Sequence, residues 1–348
     1  MTIRIAPAAL QEFAEAIFIK AGVGQADAKS WAATLLWANL RGADSHGVLR
    51  IPRYLELIGT GAINPRPRMA MRLAAGAVAL LEADRAPGPV AMRRAMDEAI
   101  AIARSLHLGW VVARDITHAG AVGHFALRAA EAGMVGLVMT ASGPLMAWPG
   151  SRGAVVSTNP IAIAVPAGNR PPLLLDMSTA AVALGKIMSA KDAGTAIPEG
   201  WGVDAEGRPT TDPGAVATLL PMAGPKGAGL SLMIECLTSL AAGNPVIAPA
   251  LRGTAPADGP RMNGLAIALD PAAFGEAAGF AREVDGLAAA VAAAPAAAGS
   301  ALLLPGERGA AVVETRRREG IPLPAGTWSR LAQAAAALGV PMPEPLAG

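Results

Sequence analysis

The chain has 348 residues, of which 53% are hydrophobic and 16% charged, so it is long enough for about two domains and too apolar for a disordered segment. Basic and acidic side chains number 29 and 27 for a net charge of +2, and the longest basic run, Arg316-Arg317-Arg318, has no interleaved aromatics, which excludes nucleic acid as the main partner. The single cysteine, Cys236, excludes a disulfide framework or a multi-cysteine metal centre, and His46, His107, His118 and His124 lack metal-ligand spacing.

Glu12 and Glu15 interrupt the apolar start, so Met1–Lys20 does not read as a signal peptide. Leu287–Leu304 is mostly alanine and is broken by Pro295 and Gly299, a poor membrane span. The chain reads as cytoplasmic, metal-free and without a membrane partner.

In chain order, Pro7 opens a helix with Leu10, Phe13, Ile17 and Phe18 at helical spacing. A second helix runs from about Asp27 to a stop at Gly42, with Trp31, Leu35 and Ala38 on one face. Asp44-Ser45-His46-Gly47 opens a third helical run, Val48–Ile58, in which Pro52 is tolerated only within the first turn. A Gly/Pro loop at 59–67 and a helix over 89–106 lead to a β segment at Leu108–Ala113. Met134–Thr140, Ile161–Val165 and Leu173–Met177 read as buried strands, and Asp204-Ala205-Glu206-Gly207 as a hairpin turn. Pro225-Lys226-Gly227 precedes an apolar helix, Leu230–Ala242. A loop at 243–261 then leads to a strand at Gly264–Leu269, and Thr327 is the expected N-cap of a last helix, Trp328–Leu338. Helical ends flank a β-rich middle.

Three segments carry chemistry, each with a plainer reading beside it. Neither a G-x-G-x-x-G after a strand nor a Walker motif occurs, so a Rossmann domain is not expected. Pro225-Lys226-Gly227-Ala228-Gly229 offers a different phosphate cradle, in which free helix N–H groups and a lysine meet an anion; the alternative is a surface turn. His46, Arg50 and Tyr54 recur every four residues, along one side of a helix: a proton carrier, a carboxylate fork and the chain's single tyrosine. The alternative there is a histidine satisfied by Asp44. His118, in Thr117-His118-Ala119-Gly120, either faces a crowded site or caps a glycine-rich turn. Cys236 reads as core.

Together these segments resemble the malate/L-lactate dehydrogenase family of non-Rossmann type, which also holds 2,3-diketo-L-gulonate reductase, ureidoglycolate dehydrogenase, sulfolactate dehydrogenase and the piperideine/pyrroline-2-carboxylate reductases. The resemblance rests on RGADSHGVLRIPRYLELI at 41–58, THAGAVGHFALRAAEAGMVGLV at 117–138, STNPIAIAVP at 157–166 and LLLDMSTA at 173–180. It continues through IPEGW at 197–201, PTTDP at 209–213, LLPMAGPKGAGLSLMIECL at 219–237 and LPGERG at 304–309, in the family's order. It implies an α/β (α+β) fold: a mostly antiparallel central sheet of the non-Rossmann malate/lactate dehydrogenase type, beside a helical domain built from both chain ends. A helical/substrate domain over 1–115, completed by 290–348, and a β-rich nicotinamide-cofactor domain over 116–289 are expected.

The resemblance further implies an NAD- or NADP-dependent oxidoreductase acting on a small 2-oxo/2-hydroxy carboxylic acid, assembled as a homodimer. Alternatives are a cyclic imino acid reductase and, outside catalysis, a nucleotide-binding dimer. His46 matches the family's proton donor, with Asp44 expected to orient its ring. Ser45, Arg50 and Tyr54 match substrate-pocket positions, and His118 lies near nicotinamide and substrate. Ser142, Asp176-Met177-Ser178, Lys226-Gly227 and Pro305-Gly306-Glu307 match cofactor-contacting segments. Departures are Ala119, where relatives often carry an aromatic and a larger pocket follows, the missing asparagine in Thr140–Pro144, and Pro149-Gly150-Ser151-Arg152-Gly153 in place of Pro-x-Gly-Gly.

Overall fold

The computed structural model describes residues 2–256, 261–297 and 299–346. Strand β1 (Thr2–Ile5) leads into α1 (Pro7–Lys20), where Pro7 sits at the N-terminus and Leu10, Phe13, Ile17 and Phe18 are buried. Helix α2 (Gln25–Leu40) buries Trp31, Leu35 and Ala38 and ends before Gly42, as its spacing requires. The third helical run is not continuous. Asp44–His46 and Val48–Arg50 form two short 3-10 turns, separated by extended backbone at Gly47 (φ −92°, ψ −155°), and α3 (Ile51–Gly59) begins only afterwards. Pro52 then falls in the first turn of α3, where a missing N–H costs nothing.

Beyond this point come β2 (Ala70–Ala75), β3 (Val78–Ala86), α4 (Gly88–Leu106), β4 (Leu108–Ile116), α5 (Gly123–Glu131) and β5 (Val135–Ala141). Short strands β6 (Met146–Ala147) and β7 (Ala154–Val156) precede β8 (Ile161–Val165) and β9 (Leu173–Met177). Next are α6 (Leu184–Ala193), β10 (Gly202–Val203), β11 (Thr218–Leu219) and α7 (Pro225–Glu235), which passes into a π-helical turn at Cys236–Leu240. The chain closes with α8 (Ile247–Leu251), β12 (Met262–Leu269), α9 (Ala277–Ala292), α10 (Glu307–Glu319), β13 (Ile321–Pro324) and α11 (Ala325–Leu338). The expected loop at 243–261 therefore contains α8, and its residues 257–260 lie outside those described, as does residue 298 of the apolar run. Thr327 is not the last helix's N-cap: Pro324, whose φ of −59° suits a helix entrance, starts α11 three residues earlier than expected.

The central sheet has seven strands in the order β2-β3-β4-β12-β5-β8-β9, antiparallel at every pairing except β3–β4. Alternation along the strands sends Val111 and Ala266 to one core, with Met92, Met96 and Phe125 of α4 and α5, and Val112 and Leu265 to the opposite one, with Ile234 of α7. Strands β2–β4, within residues 70–116, belong to this sheet. β3 buries Ala79, Leu81, Ala83 and Ala86 against the core that holds α4, whereas β2 is an exposed edge held by its antiparallel pairing with β3.

The helical part packs α1, α2, α3 and α11 around Leu10, Phe18, Trp31, Tyr54 and Leu331, and β1 pairs with β13 to join the two chain ends. Phe18 stacks on Trp31 with ring centroids 4.0 Å apart, and Trp31 leans on Tyr54 at 5.0 Å. Among the described residues no helix is long and apolar enough to cross a membrane.

Candidate active site

The turn carrying Ser45 and His46 is too short to hold itself, since 3-10 geometry forms weaker hydrogen bonds than a full helix. External clamps fix it. From the end of α2, buried Asn39 donates Nδ2 to Asp44 Oδ1 at 2.6 Å and accepts the Val48 amide on Oδ1 at 2.9 Å, so it spans Ser45, His46 and Gly47. Gly47 is required there: a Cβ would lie 2.2 Å from Asn39 Oδ1. From α10, Arg316 grips Asp44 with both terminal nitrogens, at 2.6 and 2.9 Å.

Asp44 therefore does not orient the imidazole as expected; its carboxylate is committed to Arg316 and Asn39. Ser45 does so instead, its Oγ lying 2.9 Å from His46 Nδ1. A hydroxyl can donate or accept, so this contact persists whether Nδ1 is protonated or not. Arg50 donates Nε to the Ser45 carbonyl at 2.7 Å, which leaves the outer edge of its guanidinium for a ligand. His46 and Arg50 are set by two separate turns and Tyr54 by the first turn of α3, not by one side of a single helix.

His118 lies just past β4. Its ring is held by Tyr54, whose hydroxyl is 2.8 Å from Nδ1, and it faces His46 at 5.6 Å between centroids with planes 20° apart. Thr117 anchors this loop, donating Oγ1 to the Ala86 carbonyl at 3.0 Å and accepting the Gly88 amide at 3.1 Å. At the loop's far end the Gly123 amide donates to Asp176 Oδ2 at 3.0 Å, and a Cβ on Gly123 would sit 2.6 Å from that oxygen. Ala119 packs into the sheet core with Val122 and Phe125, so its small side chain does not enlarge the pocket. The core closes over it.

Desolvation, helped by the nearby Arg50 charge, pushes His46 down to about 4. His118 is held well below the usual histidine range by burial first, then by His46 and Arg50. Tyr54 is raised by burial and stays a phenol. Around neutral pH His46 and His118 are thus neutral imidazoles beside the Arg50 guanidinium. Burial raises the Asp176 carboxyl, against the pull of the Gly123 amide and Arg41, although one side of Asp176 still meets solvent.

The segments expected to meet a cofactor converge around β9. The turn after Asp176-Met177-Ser178 is stitched to the leader of α7: Met222 donates its amide to the Thr179 carbonyl at 2.9 Å, and Ala181 to Leu220 at 2.8 Å. That seats Lys226 and Gly227 beside it. Pro305 accepts the Leu174 amide at 3.0 Å, and Arg41, stacked over Trp37, donates to the Gly306 carbonyl at 2.9 Å. Glu307 is held by Arg170 and the Leu304 amide, each at 2.8 Å. Ser142 shares its hydroxyl with Ser157 and gives its amide to Asn159, whose Nδ2 reaches the Ser231 carbonyl of α7 at 2.9 Å.

The expected free N–H groups at the start of α7 are not free: Lys226, Gly227 and Ala228 donate to the carbonyls of Ala223, Met222 and Gly224. Positive φ at Ala223 (47°) and Gly224 (59°) folds that leader beneath the helix. The exposed Lys226 side chain is what remains for an anion.

Asn39, Arg316 and Asn159 escaped the sequence reading. An asparagine between Ala38 and Leu40 at the end of an apolar stretch was a visible signal for the first. Arg316 was hidden in a basic run whose other two members, Arg317 and Arg318, are solvated at 66% and 73% exposure against its 14%.

Residues 5–332 match the malate/L-lactate dehydrogenase family. L-Sulfolactate dehydrogenase of Methanocaldococcus jannaschii is 35% identical over 328 residues, covering 92% of this chain and 93% of its own. The structure of malate dehydrogenase from Pyrococcus horikoshii superposes with a TM-score of 0.88 at 31% identity, over 99% and 97% of the two chains. That of Δ1-piperideine-2-carboxylate reductase from Pseudomonas syringae gives 0.84 at 27% identity, over 95% and 99%.

Proposed function

Since the chain belongs to the malate/L-lactate dehydrogenase family, we propose that His46 exchanges the proton, and Arg50 holds the carboxylate, in the reaction the family catalyses. The protein is an oxidoreductase that moves hydride between NAD or NADP and a small 2-oxo or 2-hydroxy carboxylic acid. The observation that carries the residue roles is the clamped Ser45–His46 pair, facing His118 across 5.6 Å, with the Arg50 edge open beside it.

When bound, the nicotinamide supplies or accepts hydride. The residues present fit such a group: Lys226 offers a solvent-facing cation for phosphate, and Thr179 carries a buried Oγ1 without a protein partner in the turn after Asp176–Ser178. Asp176, Met177, Ser178, Gly227, Ser142 and the Pro305–Glu307 turn would line its path.

The outer guanidinium edge of Arg50 takes the substrate carboxylate in a two-point contact. For a hydroxy acid, neutral His46 accepts the hydroxyl proton on Nε2 while Ser45 steadies Nδ1. In the opposite direction protonated His46 returns that proton to the oxygen on which negative charge develops. A carboxylate bound to Arg50 cancels one of the two effects that depress His46, so oxo-acid binding favours the protonated donor. His118, fixed by Tyr54, adds a second neutral ring to the pocket wall.

The deciding experiment follows NADH and NADPH oxidation across small 2-oxo carboxylates and cyclic imino acids. Turnover of the oxo acids supports the reading. Turnover of cyclic imines alone replaces it with an imino acid reductase, and silence across the panel with the nucleotide bound points to a non-catalytic binder.

Lys226→Ala is expected to raise the nicotinamide dissociation constant about tenfold, as one charge-assisted contact contributes roughly 1.5–3 kcal/mol. Fluorescence titration reads this directly. Unchanged affinity places the phosphates elsewhere.

We also take the chain to be a homodimer. Support comes from an apolar ridge along α7 and its π turn, where Met233, Leu237 and Leu240 are 52%, 39% and 52% exposed. Light scattering should return twice the mass of one chain, and a single-chain mass rejects the assignment.

A further inference from the structure

We propose that Arg316, near the far end of the chain, is a positioning residue for His46, acting through Asp44. The proposal rests on His46 being the proton-exchanging group.

Arg316 lies in α10, 272 residues from Asp44. Its guanidinium makes a fork-to-fork contact with both Asp44 oxygens and also donates to the Asn39 carbonyl at the end of α2. Asp44 is the first residue of the turn whose next two are Ser45 and His46. The Asn39 side chain, tied to the same Asp44 oxygen, holds the other side of that turn through the Val48 amide. One guanidinium thereby secures the carboxylate at the head of the turn and the helix end behind it.

The turn has little hold of its own. Its internal backbone bonds are the two from the His46 and Gly47 amides to the Ala43 and Asp44 carbonyls, with the Ser45–His46 side-chain contact beside them. Gly47 then passes through extended backbone into a second short turn, so no continuous helix enforces the direction of the His46 ring. With Arg316 removed, Asp44 loses its two strongest bonds, and the turn can drift by the order of 1 Å. Such a misplacement of a reacting group costs about 10²-fold in rate. Arg316 touches neither the Arg50 edge nor the segments around β9, so the loss should fall on kcat and spare binding.

The test is a kinetic cycle on the purified full chain. Arg316→Gln is expected to lower kcat by about 10–10²-fold, with KM for the oxo acid and nicotinamide affinity within about threefold of wild type. Arg316→Lys should fall between, because an ammonium cannot form the two-point fork. In a His46→Ala background Arg316→Gln should cost little more, since the group it positions is gone. An equal loss in both backgrounds, or a loss that appears in nicotinamide affinity, overturns the proposal. Should Arg316→Gln not fold, Asp44→Asn substitutes for it: it weakens the same contact from the other side while keeping an acceptor for Asn39, and normal kcat there also overturns it. Failure of the His46 assignment is separately visible as near-normal turnover of His46→Ala alone.

Discussion

His46→Ala is expected to lower kcat for 2-oxo acid reduction by about 10²–10⁴-fold, the usual worth of a general acid, while nicotinamide affinity stays near wild type. The motivation is a ring held through Nδ1 by Ser45, with Nε2 left to the substrate. A histidine that merely fills space predicts instead a less stable protein whose folded fraction turns over normally. Counting kcat per folded site separates the two, and a fall of less than about threefold, far short of the ~10²-fold minimum for a lost acid, moves the role to His118.

The pH profile sharpens the same test. A free histidine titrates near ~6.5, but here burial and Arg50 bring the value to about 4. Because kcat/KM reports the free enzyme, reduction should lose about tenfold per pH unit from pH 5 upward, with no break near ~6.5. Oxidation needs the neutral ring and should be flat over the same range. A wild-type inflection near ~6.5 in reduction would show that His46 is solvated as an ordinary surface histidine.

Arg50→Ala should have the second-largest effect, concentrated in KM for the carboxylate. Nε is spent on the Ser45 carbonyl, so the outer edge is the part that meets substrate. Loss of a two-point charged contact worth about 3 kcal/mol corresponds to roughly 10²-fold in kcat/KM. Arg50→Lys restores charge without the fork and should recover only part of it. The carbonyl contact also braces the turn, so kcat should decline modestly as well. A variant with KM unchanged and kcat reduced would instead make Arg50 a brace and send the carboxylate elsewhere.

The strands most legible in sequence were β8, bounded by Pro160 and Pro166, and β9, entered after Pro172, whose limits agree with the structure residue for residue. Strands β2 and β3 left no such trace: AMRLAA and VALLEADRA are alanine-rich and lack clean alternation, and alanine has little strand preference of its own. β3 is a strand because β4 and α4, from later in the chain, offer it a partner and a cover, and β2 is held as an exposed edge by its pairing with β3. The site divides the same way. His46, Arg50 and Tyr54 could be picked out by residue type and interval, whereas what holds them comes from distant parts of the chain: Arg316 on Asp44, Asn39 on Val48 and Tyr54 on His118. The misreading of Asp44 has this origin. Two residues from a histidine in sequence, an aspartate looks like its orienter; a half-buried guanidinium contributed by a later helix claims it first.

The placement of β12 bears on how the protein is made. Residues 262–269 insert between β4, which ends at residue 116, and β5, which ends at residue 141, and β1 is not paired until 321–324 have emerged. On the ribosome, at about 5–20 residues per second, both β4 and β5 therefore wait as bare edges for several seconds. Unpaired edges of this kind recruit other strands. The seven-stranded sheet can close only once residues 262–269 have emerged, and a truncation that removes them leaves the facing edges of β4 and β5 unpaired.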